Sequence, residues 1–122
     1  MFRPYPDEVP WSLLAQAGVD EETLERTLDL DLIRVAKHDG QVLGCYGIRP
    51  ESPICYELVA LAVARHSRGR GLGRWLLGHA IGIAESKGAR EIVVRRRGPQ
   101  PLLSAAGFVP ADGGLLLTLT PE

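Results

Sequence analysis

Apolar residues fall along this chain in two rhythms. From Leu72 to Lys87 they return every three or four positions, at Leu72, Leu76, Ala80, Ile83 and Ala84, with Leu77 and Ile81 broadening the stripe. That period places them on one face of a helix, and Lys87-Gly88 supplies its stop. Gly78 and Gly82 are poor helix formers, so their four-residue spacing reads as close packing against a sheet. Elsewhere the pattern is that of strands. Leu32 to His38 partly alternates. Asp39-Gly40 is a strong two-residue hairpin signal, and Gln41 to Ile48 is the partner strand. Arg49 to Pro53 predicts a turn, because two prolines within four residues do not fit a central strand. Ile54 to Val63 is the longest and most apolar strand candidate. After the helix, Arg90 to Val94 reads as a strand parallel to it by the β-α-β rule. Pro101 to Ala106 is a short helix ended by Gly107, and Leu115 to Leu119 is a last strand.

The first quarter is less regular. Phe2-Arg3-Pro4 could form a very short strand. Pro10 to Gly18 reads as a helix with proline at its first position and glycine at its stop. Asp20 to Leu28 reads as a second, with Asp20 as N-cap and acids in the first turn. The resulting order is an α+β fold, an antiparallel meander followed by a central β-α-β unit.

Length and composition narrow the class. The chain has 122 residues, 45% hydrophobic and 24% charged, which predicts one globular domain over residues 1–122. Its apolar runs fall well short of the roughly 18 residues of a membrane span. No apolar leader follows Met1, so the cytoplasm is the default location. Cys45 and Cys55 lie inside predicted strands and read as buried free thiols. Cysteines and histidines do not cluster at metal-ligand spacing, so no metal is expected. The net charge of −1 argues against non-specific binding to nucleic acid or membrane. It conceals an asymmetry: residues 1–61 carry 11 acids and 5 bases (−6), residues 62–122 carry 4 acids and 9 bases (+5). The basic half is the one suited to an anionic ligand.

That half contains Arg68-Gly69-Arg70-Gly71-Leu72-Gly73, placed between the longest strand and the main helix. A helix N-terminus presents unpaired amides and a favourable dipole to an anion. Glycines admit a ligand close to the backbone, and Arg68 and Arg70 add forked donors suited to phosphate. A dinucleotide G-x-G-x-x-G fails, since the third glycine falls on Arg74 or Leu76. A Walker A loop fails for want of Gly-Lys-Ser/Thr. What remains is R-x-x-G-x-G at Arg68, Gly71 and Gly73.

This loop resembles the pyrophosphate loop of the GCN5-related N-acetyltransferases, the GNAT superfamily of acyl-CoA-dependent enzymes. The resemblance is specific from Glu57 to Gly73, extends to Gly107-Phe108, and is weak elsewhere. It implies a mixed sheet with helices on both faces, whose central strands splay to admit the pantetheine arm of acetyl-CoA. Carried onto this sequence, Leu61, Ala62 and Val63 would line pantetheine. Arg68, Gly69, Arg70, Gly71, Leu72, Gly73 and Arg74 would hold the pyrophosphate. The implied activity is acetyl transfer to an amine of a small molecule or peptide.

Glu57 matches a glutamate that some members use as general base, often through water. Its other reading is a carboxylate satisfied by a backbone or water bond. Leu103 stands where many members carry a tyrosine as proton donor. Tyr46 and Tyr56 are alternatives, as is protonation by solvent. The triplet Arg95-Arg96-Arg97 would sit at the sheet's carboxyl edge, facing an acidic acceptor or the cofactor, or simply solvated. Short N-terminal helices imply a small or open acceptor pocket, which a second subunit of a homodimer could complete. The alternative to an enzyme is an acetyl-CoA-binding sensor acting on a protein partner.

Overall fold

The computed structural model describes residues 12–13, 32–95 and 100–119. The predicted strand at Phe2 to Pro4, most of the predicted helices Pro10 to Gly18 and Asp20 to Leu28, and Arg96 and Arg97 lie outside these residues. Ser12 and Leu13, within the first of those helices, are helical.

Among the described residues the strands are β1 (Ile33–His38), β2 (Gln41–Pro50), β3 (Cys55–Val63), β4 (Glu91–Val94), β5 (Val109–Ala111) and β6 (Gly114–Thr118). The helices are α1 (Leu72–Ser86) and α2 (Gln100–Ala105), with a 3₁₀ turn at Arg65–Ser67. The sheet order is β1-β2-β3-β4-β6-β5. Every neighbouring pair is antiparallel except β3 with β4, which is parallel. This is the mixed α+β sheet expected from the sequence.

Two hairpins share one turn chemistry. Asp39 and Gly40 have φ of 50° and 79°, and Asp112 and Gly113 have φ of 48° and 80°. Positive φ at both central residues is the primed turn that matches strand twist, and Asp-Gly is suited to it. The first was foreseen. The second, which creates β5 and pairs it with β6, was not read from the sequence although the same dipeptide marks it.

The sheet separates two apolar clusters. Tyr46, Ile48, Tyr56 and Leu58 pack with Leu76, Leu77, Ala80 and Ala84 of α1 and with Leu103 of α2. Ile33, Val35, Cys45, Val59, Ala60 and Ala62 form the opposite cluster, which Leu13 joins. An irregularity in β3 controls this division. Gly47 pairs with Ala60, but Ile48 pairs with Leu58, leaving Val59 as an extra residue. Before this bulge the even-numbered residues face α1; after it Leu61 and Val63 do, as a one-residue slip requires.

Three expectations are corrected. β2 continues through Pro50, which pairs with Tyr56 at the very end of the ladder, where a missing N–H disturbs little. Gly78 and Gly82 are exposed, and a Cβ at either would meet nothing within 4 Å. They do not mediate packing. A glycine that does is Gly44 of β2, whose added Cβ would lie 2.7 Å from Leu76 Cδ1 and 2.9 Å from the Ala62 carbonyl oxygen. Cys55 is half-buried rather than buried.

Candidate functional site

β3 and β4 pair only from Cys55–Glu91 through Glu57–Val93. Beyond that point β3 runs on to Val63 with no partner on its β4 side among the described residues. The unpaired stretch holds Leu61, Ala62 and Val63, and ends at the 3₁₀ turn that leads to the glycine-rich loop. The strand parting and the loop are thus consecutive in the chain.

The loop is shaped by its glycines. Gly69 and Gly71 have φ of 82° and 77°, a region that β-carbons disfavour. A Cβ at either would project into open space. Gly71 is also the N-cap of α1, so no side chain caps the helix, and no acidic residue occupies its first turn. The leading amides therefore lack the usual protein acceptors. Gly73 plays a different part: its Cβ would lie 3.3 Å from Leu102 and 3.7 Å from Val63. It seats the first turn of α1 against α2 and the end of β3. Arg68, Arg70 and Arg74 are exposed around this end, and Arg68 Nε donates to the Val63 carbonyl at 3.2 Å. One carbonyl of the open strand is thus engaged by the loop itself.

Glu57 occupies the last paired position before the strands part. It precedes the bulge, so its side chain lies on the sheet face away from α1, and it is 7% exposed. Arg49, its cross-strand partner, donates from Nε to Oε1 at 2.9 Å. Oε2 makes no hydrogen bond among the described residues. Among the described residues no side-chain oxygen sealed from solvent lacks a partner, so Oε2 retains contact with water. The Arg49 guanidinium also lies 3.7 Å from Glu51, which is gripped by Arg95 through two hydrogen bonds of 2.7 Å. Hydrogen bonding from Arg95 holds the Glu51 carboxyl below its ordinary pKa. Arg95 is exposed, as a solvated basic edge would be, and is also paired with a carboxylate.

Leu103 and Tyr46 lie on the other side of the sheet from Glu57, whereas Cys55 borders Glu51, Sγ to Oε2 at 3.9 Å. Leu103 is 1% exposed and belongs to the core. Tyr46 is fully buried on the α1 side of the sheet, bonded through its hydroxyl to His79 Nδ1 at 2.6 Å. Burial pushes its phenol up to about 12. Burial pushes the Cys45 thiol up to about 12 as well, and raises that of Cys55 with help from Glu51. Neither thiol is suited to nucleophilic attack. Sequence reasoning missed Arg49 and Glu51. Arg49 falls in the segment expected to be a turn, whereas β2 continues through Pro50 and sets Arg49 opposite Glu57. No helix among the described residues is long and apolar enough to cross a membrane.

The sequence model of the acetyltransferase (GNAT) family matches residues 2–102. A comparison with curated proteins finds no match. Solved structures share the fold. A GNAT family acetyltransferase from Elizabethkingia anophelis, solved with acetyl-CoA bound, superposes with a TM-score of 0.77 at 22% identity, covering 98% of this chain and 94% of that one. The IAA acetyltransferase of Bacillus cereus gives 0.75 at 24% identity over 93% of each chain. The N-acetylglutamate synthase of Neisseria gonorrhoeae, complexed with coenzyme A and L-arginine, gives 0.84 at 20% identity over 98% of this chain but 33% of its own.

Proposed function

The chain belongs to the GNAT family of acetyltransferases, and from that premise we propose that it binds acetyl-CoA and transfers the acetyl group to an amine of a small molecule or peptide. The observation that carries this reading is the parting of β3 from β4 at Glu57 and Val93, which leads straight to the uncapped start of α1. The fit is good at both ends. The open edge of β3 offers Leu61, Ala62 and Val63 to a pantetheine arm. The amides from Gly69 to Arg74, with the guanidiniums of Arg68, Arg70 and Arg74, suit a diphosphate. Open space at the Cβ positions of Gly69 and Gly71 is what a close-lying anion requires.

Bound there, acetyl-CoA supplies an activated thioester. The chain's own contribution is to orient it and to manage a proton. Glu57 is the proposed general base. Its water-accessible Oε2 can take a proton from an acceptor ammonium, directly or through one water. Arg49, on Oε1, fixes the carboxylate in place. The departing thiolate draws its proton from solvent, since Leu103 is buried and Tyr46 is committed to His79.

The same burial of Leu103 favours a second reading, an acetyl-CoA sensor without turnover. A panel of amines incubated with acetyl-CoA and read by release of free thiol separates the two. Thiol release with one amine class establishes the enzyme. Ligand-induced rise in melting temperature without thiol release from any amine favours the sensor. An unchanged melting curve at millimolar acetyl-CoA counts against both, because a ligand of the folded state must stabilise it.

A further inference from the structure

On the β2 side of the loop, away from the parting of β3 and β4, lies a second concavity of about 470 Å³. Its walls come from the tip of the β1–β2 hairpin, the 3₁₀ turn and the first turns of α1. We propose that this groove binds a small aromatic carboxylate, with its ring on Trp75 and its carboxylate between Arg70 and Ser67.

Both the apolar and the polar lining of the groove point to that chemistry. Trp75 lines the groove and is 51% exposed, whereas its neighbours Leu76 and Leu77 on the same helix are buried. A flat aromatic ring is the natural partner for such a face. Leu43 and Leu72 extend the apolar wall. Leu43 is the extra residue of a bulge, since Ala36 pairs with Gly44 while Lys37 pairs with Val42, and bulges commonly re-aim a side chain at a site.

The polar end is equally specific. Ser67 lines the groove and is 95% buried, by its 5% exposure. Among the described residues its hydroxyl has no hydrogen bond, and no sealed side-chain oxygen lacks a partner. The hydroxyl therefore meets solvent through its small remaining opening. It is a donor held ready within a mostly buried residue. Arg70 brings a guanidinium to the same groove, and Gly71 and Leu72 bring the uncapped helix start. A guanidinium, a hydroxyl and helix amides together select an oxyanion. His66 and His38 are the other bases on the wall, and Asp39 is the acid. The Asp39 carboxylate is highly exposed and lies 3.3 Å from His38 Nε2, at the rim. The volume suits one or two fused rings.

The groove shares Arg70, Gly71 and Leu72 with the loop proposed to hold diphosphate, so occupancy of one site is linked to affinity at the other. That linkage rests on the acetyl-CoA reading; the groove itself does not. The test therefore begins without acetyl-CoA. Calorimetric titration with 1-naphthoate should saturate, and 1-naphthalenemethanol, which lacks the charge, should bind at least about tenfold more weakly. Trp75→Ala should weaken naphthoate by about tenfold or more, and Ser67→Ala by several-fold. Chemical-shift changes in the parent protein should centre on the Trp75 indole N–H and the amides of His66 and Ser67, a readout that needs no variant to fold. With acetyl-CoA present, naphthoate should still bind, with altered affinity. Absence of saturable binding overturns the proposal, as do equal affinities for the acid and the alcohol. Shift changes confined to β3 and α2, or complete displacement by acetyl-CoA, would place naphthoate in the acetyl-CoA cleft and overturn it too.

Discussion

Gly44→Ala and the pair Gly78→Ala, Gly82→Ala should move stability in opposite directions, although each adds a methyl to a glycine near or on α1. At Gly44 the new Cβ would stand 2.7 Å from Leu76 Cδ1 and 2.9 Å from the Ala62 carbonyl oxygen. Leu76 is fully buried and cannot swing into solvent, and the carbonyl belongs to the β3 backbone. Relief requires α1 to lift from the sheet. Overpacking of this kind costs about 1–3 kcal/mol, or a fall in melting temperature of roughly 4 °C per kcal/mol at this chain length. The movement also displaces the loop that opens α1, so acetyl-CoA affinity should fall with stability. At Gly78 and Gly82 the methyl enters open space in a helix interior, where alanine is favoured over glycine by about 1 kcal/mol per site. The double variant should melt several degrees higher with unchanged acetyl-CoA affinity. Differential scanning calorimetry and ligand titration on the three proteins read all of this. A Gly44→Ala protein as stable as the parent would refute the packing argument, and a destabilised double variant would refute the account of α1's outer face.

Gly71→Glu should abolish acetyl-CoA binding, since it adds a Cβ at a φ of 77° and a charge worth about 4 kcal/mol of repulsion at ~4 Å from a phosphate; near-normal affinity by calorimetry would remove the loop from the site. Glu57→Gln should cut turnover by about a hundredfold or more while leaving acetyl-CoA affinity intact, and equal rates would return Glu57 to a structural role. Tyr46→Phe should destabilise by about 1 kcal/mol, because His79 Nδ1 loses its partner; chemical denaturation measures it, and no change would mean water replaces the phenol. The Glu51 carboxyl is held below its ordinary value of 4.5 by Arg95, so the unfolded chain binds more protons there. Its stabilisation is present above about pH 4.5 and is lost as pH falls toward the folded value. Glu51→Gln should flatten the acid limb of the stability curve, and an unchanged limb would show that the pair is immaterial to folding.

Much of the fold was legible in local chemistry. The β2–β3 region, α1 and the parallel return to β4 follow from periodicity and turn signals, with ends within about two residues of expectation. The strand–loop–helix order around residues 68–73 was legible too, from the apolar run before the glycines and the helical period after them. The environment of Glu57 was not. Its pairing with Arg49 requires β2 to continue through Pro50, past residues that read as a turn. Gly44 was equally silent, since close approach of a helix to a strand is a property of two distant segments. Gly78 and Gly82 misled for the opposite reason: small residues at helical spacing look like a packing stripe whichever way they point.

The displaced residue at Val59 also makes β3 two ladders spliced end to end. The upstream piece carries the acid that would handle protons, locked to β2 and β4. The downstream piece carries the open edge that would grip the acyl carrier, locked to β2 alone. Because the splice absorbs a step in register, amino-acid changes on one piece need not re-phase the other. Acceptor chemistry and carrier recognition can then diversify independently along a single strand.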